Sequence, residues 1–430
     1  MIKFKGHEFL GRDCGETLIG QDDGSLAYTD RFLERWGRDA ESRLTPEMLA
    51  ALDDSTPDAK HYVLKSGKIP KMPHLDRNRR LIHALFVQEI NQHEEAMVQR
   101  IHDSHGTLFN SEIAREFCPF WKDNPWGKAL LDEVSFGPSI YLAENVWLQG
   151  LNKPPKDPYQ NKVAIIFGGP GSGKTTLTNH LQKNDPHLKA VVDRPNVWIG
   201  SLTKLLDESI EAGEKTGQPL DIAIYLPYRS VEKAIEGRTK SMLEDGRPVT
   251  AFSISHASYA GQQVMLDLAR KMGFPSGENV DPAFEKYRKA GVKLCVVMND
   301  SDEPDMKNAR QLDLSNTADF EAFQKCSYQG QSISAKEVMQ RGFDKAIALK
   351  QAHDESLRTS GIPAYTSDNP GLSTAVLTEW WKAQAFILAS DPNFKGTPTR
   401  DIQIESKPTI IGEASTGVSV APGVGKVQGK

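Results

Sequence analysis

The residues most able to do chemistry lie together in Gly168-Gly169-Pro170-Gly171-Ser172-Gly173-Lys174-Thr175, which meets every fixed position of the pattern G-x-x-x-x-G-K-[ST]. Glycines at these spacings let consecutive backbone N–H groups turn inward around phosphate oxygens and form an anion nest. A helix opening at Lys174 would add the positive end of its dipole at the same point. Lys174 then reaches β- and γ-phosphates, and the Thr175 hydroxyl becomes a ligand for Mg²⁺. Gly168 to Thr176 is therefore the expected ATP-binding set, with ATP and Mg²⁺ as cofactors and Thr175 on the metal.

Other residues narrow the chemistry. Motor and transport ATPases carry four apolar residues ending in Asp-Glu, but here Leu294-Cys-Val-Val-Met298 ends in Asn299-Asp300. No N-K-x-D guanine signature follows a late strand either. The pattern left is that of a small kinase. Asp193 closes the apolar run Ala190-Val-Val, nineteen residues after Lys174, about one helix and a return strand later. That spacing brings its carboxylate to the carboxyl edge of a sheet beside the phosphate loop. There it would accept the proton of an attacking hydroxyl, or orient that hydroxyl and the metal. Arg194 and Asn196 follow at once as candidates to grip an acceptor. The basic segment Arg229 to Lys240 offers cations for the transferring phosphoryl, because spreading its charge is most of the catalysis. Arg229 is the first choice, with Arg238 and Arg247 behind it. Lys174, Asp193 and Arg229 form the expected catalytic set.

The elements that must position these residues predict an α/β fold: a parallel sheet flanked by helices, with a helical N-terminal region and C-terminal helices. Residues 1–150 read as mostly helical, clearest from Arg79 to Asp103, while the first fifty carry few sustained patterns and are expected to be mobile. The segment 151–160 holds Pro154, Pro155 and Pro158 and reads as a linker. Residues 161–390 form the expected kinase domain. Strands are expected at Val163–Phe167, Ala190–Val192, Ile222–Leu226, Pro248–His256 and Val292–Met298. Helices are expected at Lys174–Gln182, Tyr259–Met272, Asp319–Lys325, Ala335–Lys350 and Ser373–Leu388. Residues 391–430, rich in glycine, proline, serine and threonine, are expected to be mobile.

Composition removes several alternatives. The chain has 430 residues, 25% charged and 38% hydrophobic, a globular balance with room for two cores. No apolar run reaches the roughly 18 residues of a membrane span, and the start lacks a signal-peptide core, so a membrane partner and Sec export are not expected. A net charge of −5 argues against a general nucleic-acid coat. Four scattered cysteines without a CxxC pair argue against a disulfide framework or zinc site and fit a reducing cytoplasm. His93-Glu-Glu-Ala-Met97 lacks the second histidine of a zinc-protease helix, and His102 with His105 closes no metal site. Cys118 reads as a buried structural thiol. The basic stretch from Lys65 to Arg80 reads as a solvated loop, and Trp380-Trp381 as helix packing.

The loop GGPGSGKTT, the strand-ending Asp193, Leu226-Pro-Tyr-Arg-Ser-Val-Glu-Lys233, and Ser255-His-Ala-Ser-Tyr-Ala260 before Val297-Met-Asn-Asp300 resemble the zeta-toxin kinases, relatives of polynucleotide kinase. The resemblance spans roughly Lys162 to Asp300, and only the phosphate loop in it is a specific motif. It implies ATP- and Mg²⁺-dependent phosphorylation of a sugar hydroxyl on a nucleotide, the 3′-hydroxyl of a UDP-amino-sugar in the family at large. The long region before the loop departs from most such toxins and is similar in layout to a plant-pathogen effector branch. That branch implies the 3′-hydroxyl of the adenosine ribose of NAD as acceptor and a small cognate antitoxin or chaperone as partner. It also implies delivery from the bacterial cytoplasm into a host by a specialised system. UDP-N-acetylglucosamine, a polynucleotide 5′-hydroxyl and a non-catalytic nucleotide switch stay open as alternatives.

Overall fold

A computed structural model describes residues 2–4, 7–9, 26–52, 60–122, 127–154, 157, 159–195, 198–245, 249, 251–300 and 309–360. The strand pair β1 (Ile2–Phe4) and β2 (His7–Phe9) comes first, then α1 (Leu26–Arg43) and α2 (Pro46–Ala50). A two-stranded unit follows, β3 (His61–Val63) and β4 (Lys68–Pro70). The long helix α3 (Arg77–His105) is capped by the Asp76 carboxylate, which accepts from the Arg79 amide, and it is kinked at His93. Next are β5 (Leu108–Phe109), α4 (Ser111–Arg115), α5 (Gly127–Leu130) and α6 (Asp132–Asn152).

The alternating region then runs β6 (Lys162–Phe167), α7 (Lys174–Asn184), β7 (Leu188–Arg194), α8 (Ile199–Thr216), β8 (Asp221–Tyr228), α9 (Val231–Asp245) and α10 (Ala251–Lys271). It closes with α11 (Glu285–Lys289), β9 (Lys293–Met298), β10 (Arg310–Asp313), α12 (Thr317–Cys326) and α13 (Ala335–Ser360). Six strands make one sheet in the order β10-β9-β8-β6-β7-β5, parallel throughout except for the antiparallel edge strand β10. Val163 to Phe167 is a continuous apolar run because β6 is central and covered on both faces.

Strand alternation divides the interior in two. Ala164, Ile166, Val191, Ala223 and Tyr225 face α7 and pack on Leu177. Val163, Ile165, Val192, Ile222 and Ile224 point the other way, into a larger core that also holds Trp36, Phe86, Trp147 and Leu206. The N-terminal helices and the alternating region thus share one interior, and the proline-rich stretch at 151–160 does not separate two cores. The N-terminal region even supplies a sheet strand, since Leu108 and Phe109 pair in parallel with Val191 and Val192. No motif announces a two-residue edge strand.

Two expectations change. Of the strand expected at Pro248–His256, Ala251–His256 is instead the first part of α10, continuous with the helix expected from Tyr259. A short apolar run suits a buried helix as well as a buried strand. Within the first fifty residues, Leu26–Arg43 is a regular helix. The expected helix Ser373–Leu388, the Trp380-Trp381 pair and the tail 391–430 lie outside the described residues. Among the described residues no helix is long and apolar enough to cross a membrane.

Candidate active site

The chain leaves β6 through Gly168–Gly173, crosses by α7 to β7 on one side, and returns by α8 to β8 on the other. Consecutive connections diverge around β6, which opens a crevice at the carboxyl ends of the strands. The loop lies there because its glycines accept conformations other residues avoid: Gly168, Gly171 and Gly173 have φ of 141°, 77° and 99°. Gly171 is doubly constrained, as a Cβ on it would come within 2.2 Å of the Ala234 carbonyl oxygen of α9. Lys174 opens α7, is only 9% exposed, and donates from Nζ to the Gly169 carbonyl at 3.0 Å. Its ammonium therefore sits over the loop.

Asp193 stands opposite Ile166 in the β6–β7 register, two residues before the loop begins. Strand parity turns its side chain to the α7 face, where the Thr175 hydroxyl donates to its Oδ2 at 3.0 Å. The Asn110 amide reaches the same oxygen at 3.4 Å. The carboxylate is 5% exposed, and burial raises its pKa. The Lys174 charge and the Thr175 hydrogen bond oppose that rise, while the Glu112 charge adds to it. The Thr178 hydroxyl also favours the charged form, short of a well-formed hydrogen bond.

Arg229 follows the carboxyl end of β8, on the other side of β6. Its Nη1 donates to the Gly171 carbonyl at 3.3 Å, so the guanidinium touches the glycine loop directly. Gly237 makes room for it: a Cβ there would lie 2.9 Å from Nη1. Burial lowers the Arg229 pKa, and the charges of Asp300 and Glu236 support its cation. Asp300 also fixes the turn after Arg229, accepting from the Ser230 amide at 2.9 Å and its hydroxyl at 2.8 Å.

Lys174, Thr175, Asp193 and Arg229 are thus brought to one crevice. Arg194 is not with them. The same strand alternation that aims Asp193 at α7 sends Arg194 to the opposite face, over the Phe109 ring at 5.1 Å and near Glu144 and Glu208. An acceptor grip from Arg194 is thereby corrected to a packing and charge-balancing role. Arg238 is the next residue after Gly237 on α9. Asn196 and Arg247 lie outside the described residues. Cys118 is buried, and burial pushes its thiol pKa up, which leaves it unreactive.

Two contributors escaped the sequence reading. Asn110 lies in a region without a motif, caps α4 through its Oδ1, and presents its amide to Asp193. Asn299 stands where an ATPase strand would end in an acidic pair, and its sequence position gives no other signal. Its buried amide donates to the Ser172 carbonyl at 3.0 Å and steadies the loop from β9.

The residues fit a nucleotide phosphate and a divalent cation. The Ser172 hydroxyl and Arg229 Nε are buried at the loop without hydrogen-bond partners, an arrangement that an anion would complete. Thr175 and Asp193 present adjacent oxygens suited to Mg²⁺, which binds through one or two protein oxygens plus phosphate and water. Among the described residues no group of three or more His, Cys, Asp or Glu side chains could hold a metal unaided. No protein-family model matches the chain, and no curated protein matches it.

Proposed function

We propose that the chain is an ATP-dependent phosphotransferase that moves a γ-phosphoryl group to a hydroxyl on a small nucleotide. The observation that carries this reading is the convergence on one crevice of a glycine loop with its lysine, a buried carboxylate on the Thr175 hydroxyl, and an arginine on the loop's far wall. Gly168–Thr176 would hold the ATP phosphates, with Thr175 on Mg²⁺, whose charge favours the leaving phosphate. Lys174 and Arg229 offset negative charge as the phosphoryl moves. Asp193 takes the acceptor proton when ionised, and its burial makes it a stronger base than an exposed aspartate. The Thr175–Asp193 contact also supports a second reading, in which Asp193 orients the metal ligands.

The acceptor comes from the zeta-toxin resemblance, with the adenosine ribose 3′-hydroxyl of NAD first and UDP-N-acetylglucosamine second. The purified chain should be incubated with Mg-ATP, NAD, UDP-N-acetylglucosamine and a 5′-hydroxyl oligonucleotide, and added phosphate read by mass spectrometry. Phosphate on NAD alone is the expected result. Phosphate on another acceptor keeps the chemistry and replaces the substrate; ATP binding without transfer to any of them overturns the enzyme in favour of a nucleotide-switched binding protein.

A further inference from the structure

The turn that carries Arg229 is pinned on both sides by residues far along the chain. Before it, the Tyr228 hydroxyl donates to the Cys326 carbonyl at 3.0 Å, from 98 positions away. After it, the Val231 amide donates to the Tyr328 hydroxyl oxygen at 2.9 Å, from 97 positions away. Val231 opens α9, where the Ala234 amide takes the Ser230 carbonyl at 2.9 Å. The Val231 N–H is therefore one of the helix-terminal donors that have no partner within the helix. Val231 exposes no surface, so losing the phenol oxygen would strand its N–H in a buried place, which is costly.

Tyr328 is itself firmly held. Its amide donates to Gln262 Oε1 at 3.0 Å, and its ring stacks on Tyr259 with centroids 6.3 Å apart and 17° between planes. Both partners belong to α10. The same stretch of α10 abuts the glycine loop: a Cβ on Gly169 would lie 3.1 Å from the Ser258 amide nitrogen and hydroxyl, and one on Gly261 would lie 3.7 Å from the Gly168 Cα. One helix thus touches the loop and seats Tyr328, and Tyr328 in turn anchors the start of α9. The loop and the Arg229 turn share a single support.

We propose that Tyr328 is a positioning residue: by accepting from Val231 it fixes the first turn of α9 and so holds the Arg229 guanidinium on the glycine loop. Its consequence for catalysis rests on the phosphotransferase reading above. Arg229 meets Gly171 through a single 3.3 Å contact, so freedom at the base of its side chain passes directly to the guanidinium. A misplacement of about 1 Å near a reacting group can cost about a hundredfold in rate.

The test uses the full chain carrying Tyr328→Phe, which keeps the ring on Tyr259 and removes only the oxygen. ADP release from Mg-ATP is followed with NAD, UDP-N-acetylglucosamine and a 5′-hydroxyl oligonucleotide present together. The substitution should lower kcat about tenfold or more and leave KM for ATP within about twofold of wild type. Added to Arg229→Ala, it should lower kcat no further, because its effect passes through the arginine. A merely structural loss would lower kcat by the same factor in both backgrounds; that result overturns the proposal, as does an unchanged kcat in Tyr328→Phe alone. Hydrogen exchange on the nucleotide-free chain needs no turnover. There the amides of residues 231–233 should exchange about tenfold faster in Tyr328→Phe, with those of residues 174–177 unchanged. Absence of transfer by the wild-type chain would sink the phosphotransferase reading, whereas unchanged exchange at Val231 would sink the role of Tyr328, so the two failures are told apart.

Discussion

Asp193 has two proposed roles, as base and as partner of a hydroxyl that would bind the metal, and they predict different failures. Asp193→Asn should lower transfer about 10²- to 10⁴-fold with ATP affinity near normal if the carboxylate accepts the proton. Joint loss of Mg-ATP affinity in the same titration would assign it to the metal. Stability gives an independent reading. Burial raises the Asp193 pKa, so the folded chain holds this proton to higher pH than the unfolded chain. Stability from this group therefore falls as pH rises from the ordinary aspartate range through the folded value. Asp193→Asn removes that fall, so its melting temperature should exceed wild type by a margin that widens from pH 4 to pH 8. Arg229→Ala should cost about 10²- to 10³-fold in transfer with little change in acceptor affinity, since its charge matters most as the phosphoryl moves.

Short-range packing between elements gives the loop its shape. The Gly168–Gly173 turn is clamped between α9 and β9, by the Ala234 carbonyl against Gly171 on one side and the Asn299 amide on Ser172 on the other. Gly171→Ala should destabilise the fold by about 2 kcal/mol or more, from its positive φ and the carbonyl clash, and should abolish ATP binding in a fluorescent-nucleotide assay. On the β7 side of the crevice, β5 and α4 carry Asn110 to the carboxylate. Asn110→Ala removes a donor that favours ionised Asp193. The acidic limb of the pH–rate profile should then move to higher pH, whereas a purely structural role would lower the rate at every pH alike.

At the scale of the molecule, the region before the loop belongs to the same interior as the sheet. Trp147 of α6 is fully buried and donates from Nε1 to Glu208 of α8 at 3.0 Å. Trp147→Ala should cost about 3–5 kcal/mol. A chain beginning at residue 161 would expose Val192, Leu206 and Ile165 where α6 and the N-terminal helices now cover them. It should lose the cooperative thermal transition expected of the full chain in calorimetry, whereas an independently folding domain would keep it.

The local order of the chain carried much of this. The shape of the glycine loop was legible because its glycines, lysine and threonine answer to backbone geometry and charge within eight residues, and the strand before it is apolar because it is central. Asp193 was legible because one helix and one return strand have a nearly fixed length. The expected strand at Pro248–His256 failed because a brief apolar run suits either buried element, and only the packing chose a helix. Which face each side chain takes was also tertiary: one step along β7 separates Asp193 at the loop from Arg194 over Phe109. Asn110 reaches Asp193 from 83 positions away. Spacing along the chain cannot encode that approach; it exists only because α3 and α6 bury their apolar faces on the sheet and carry β5 to its edge.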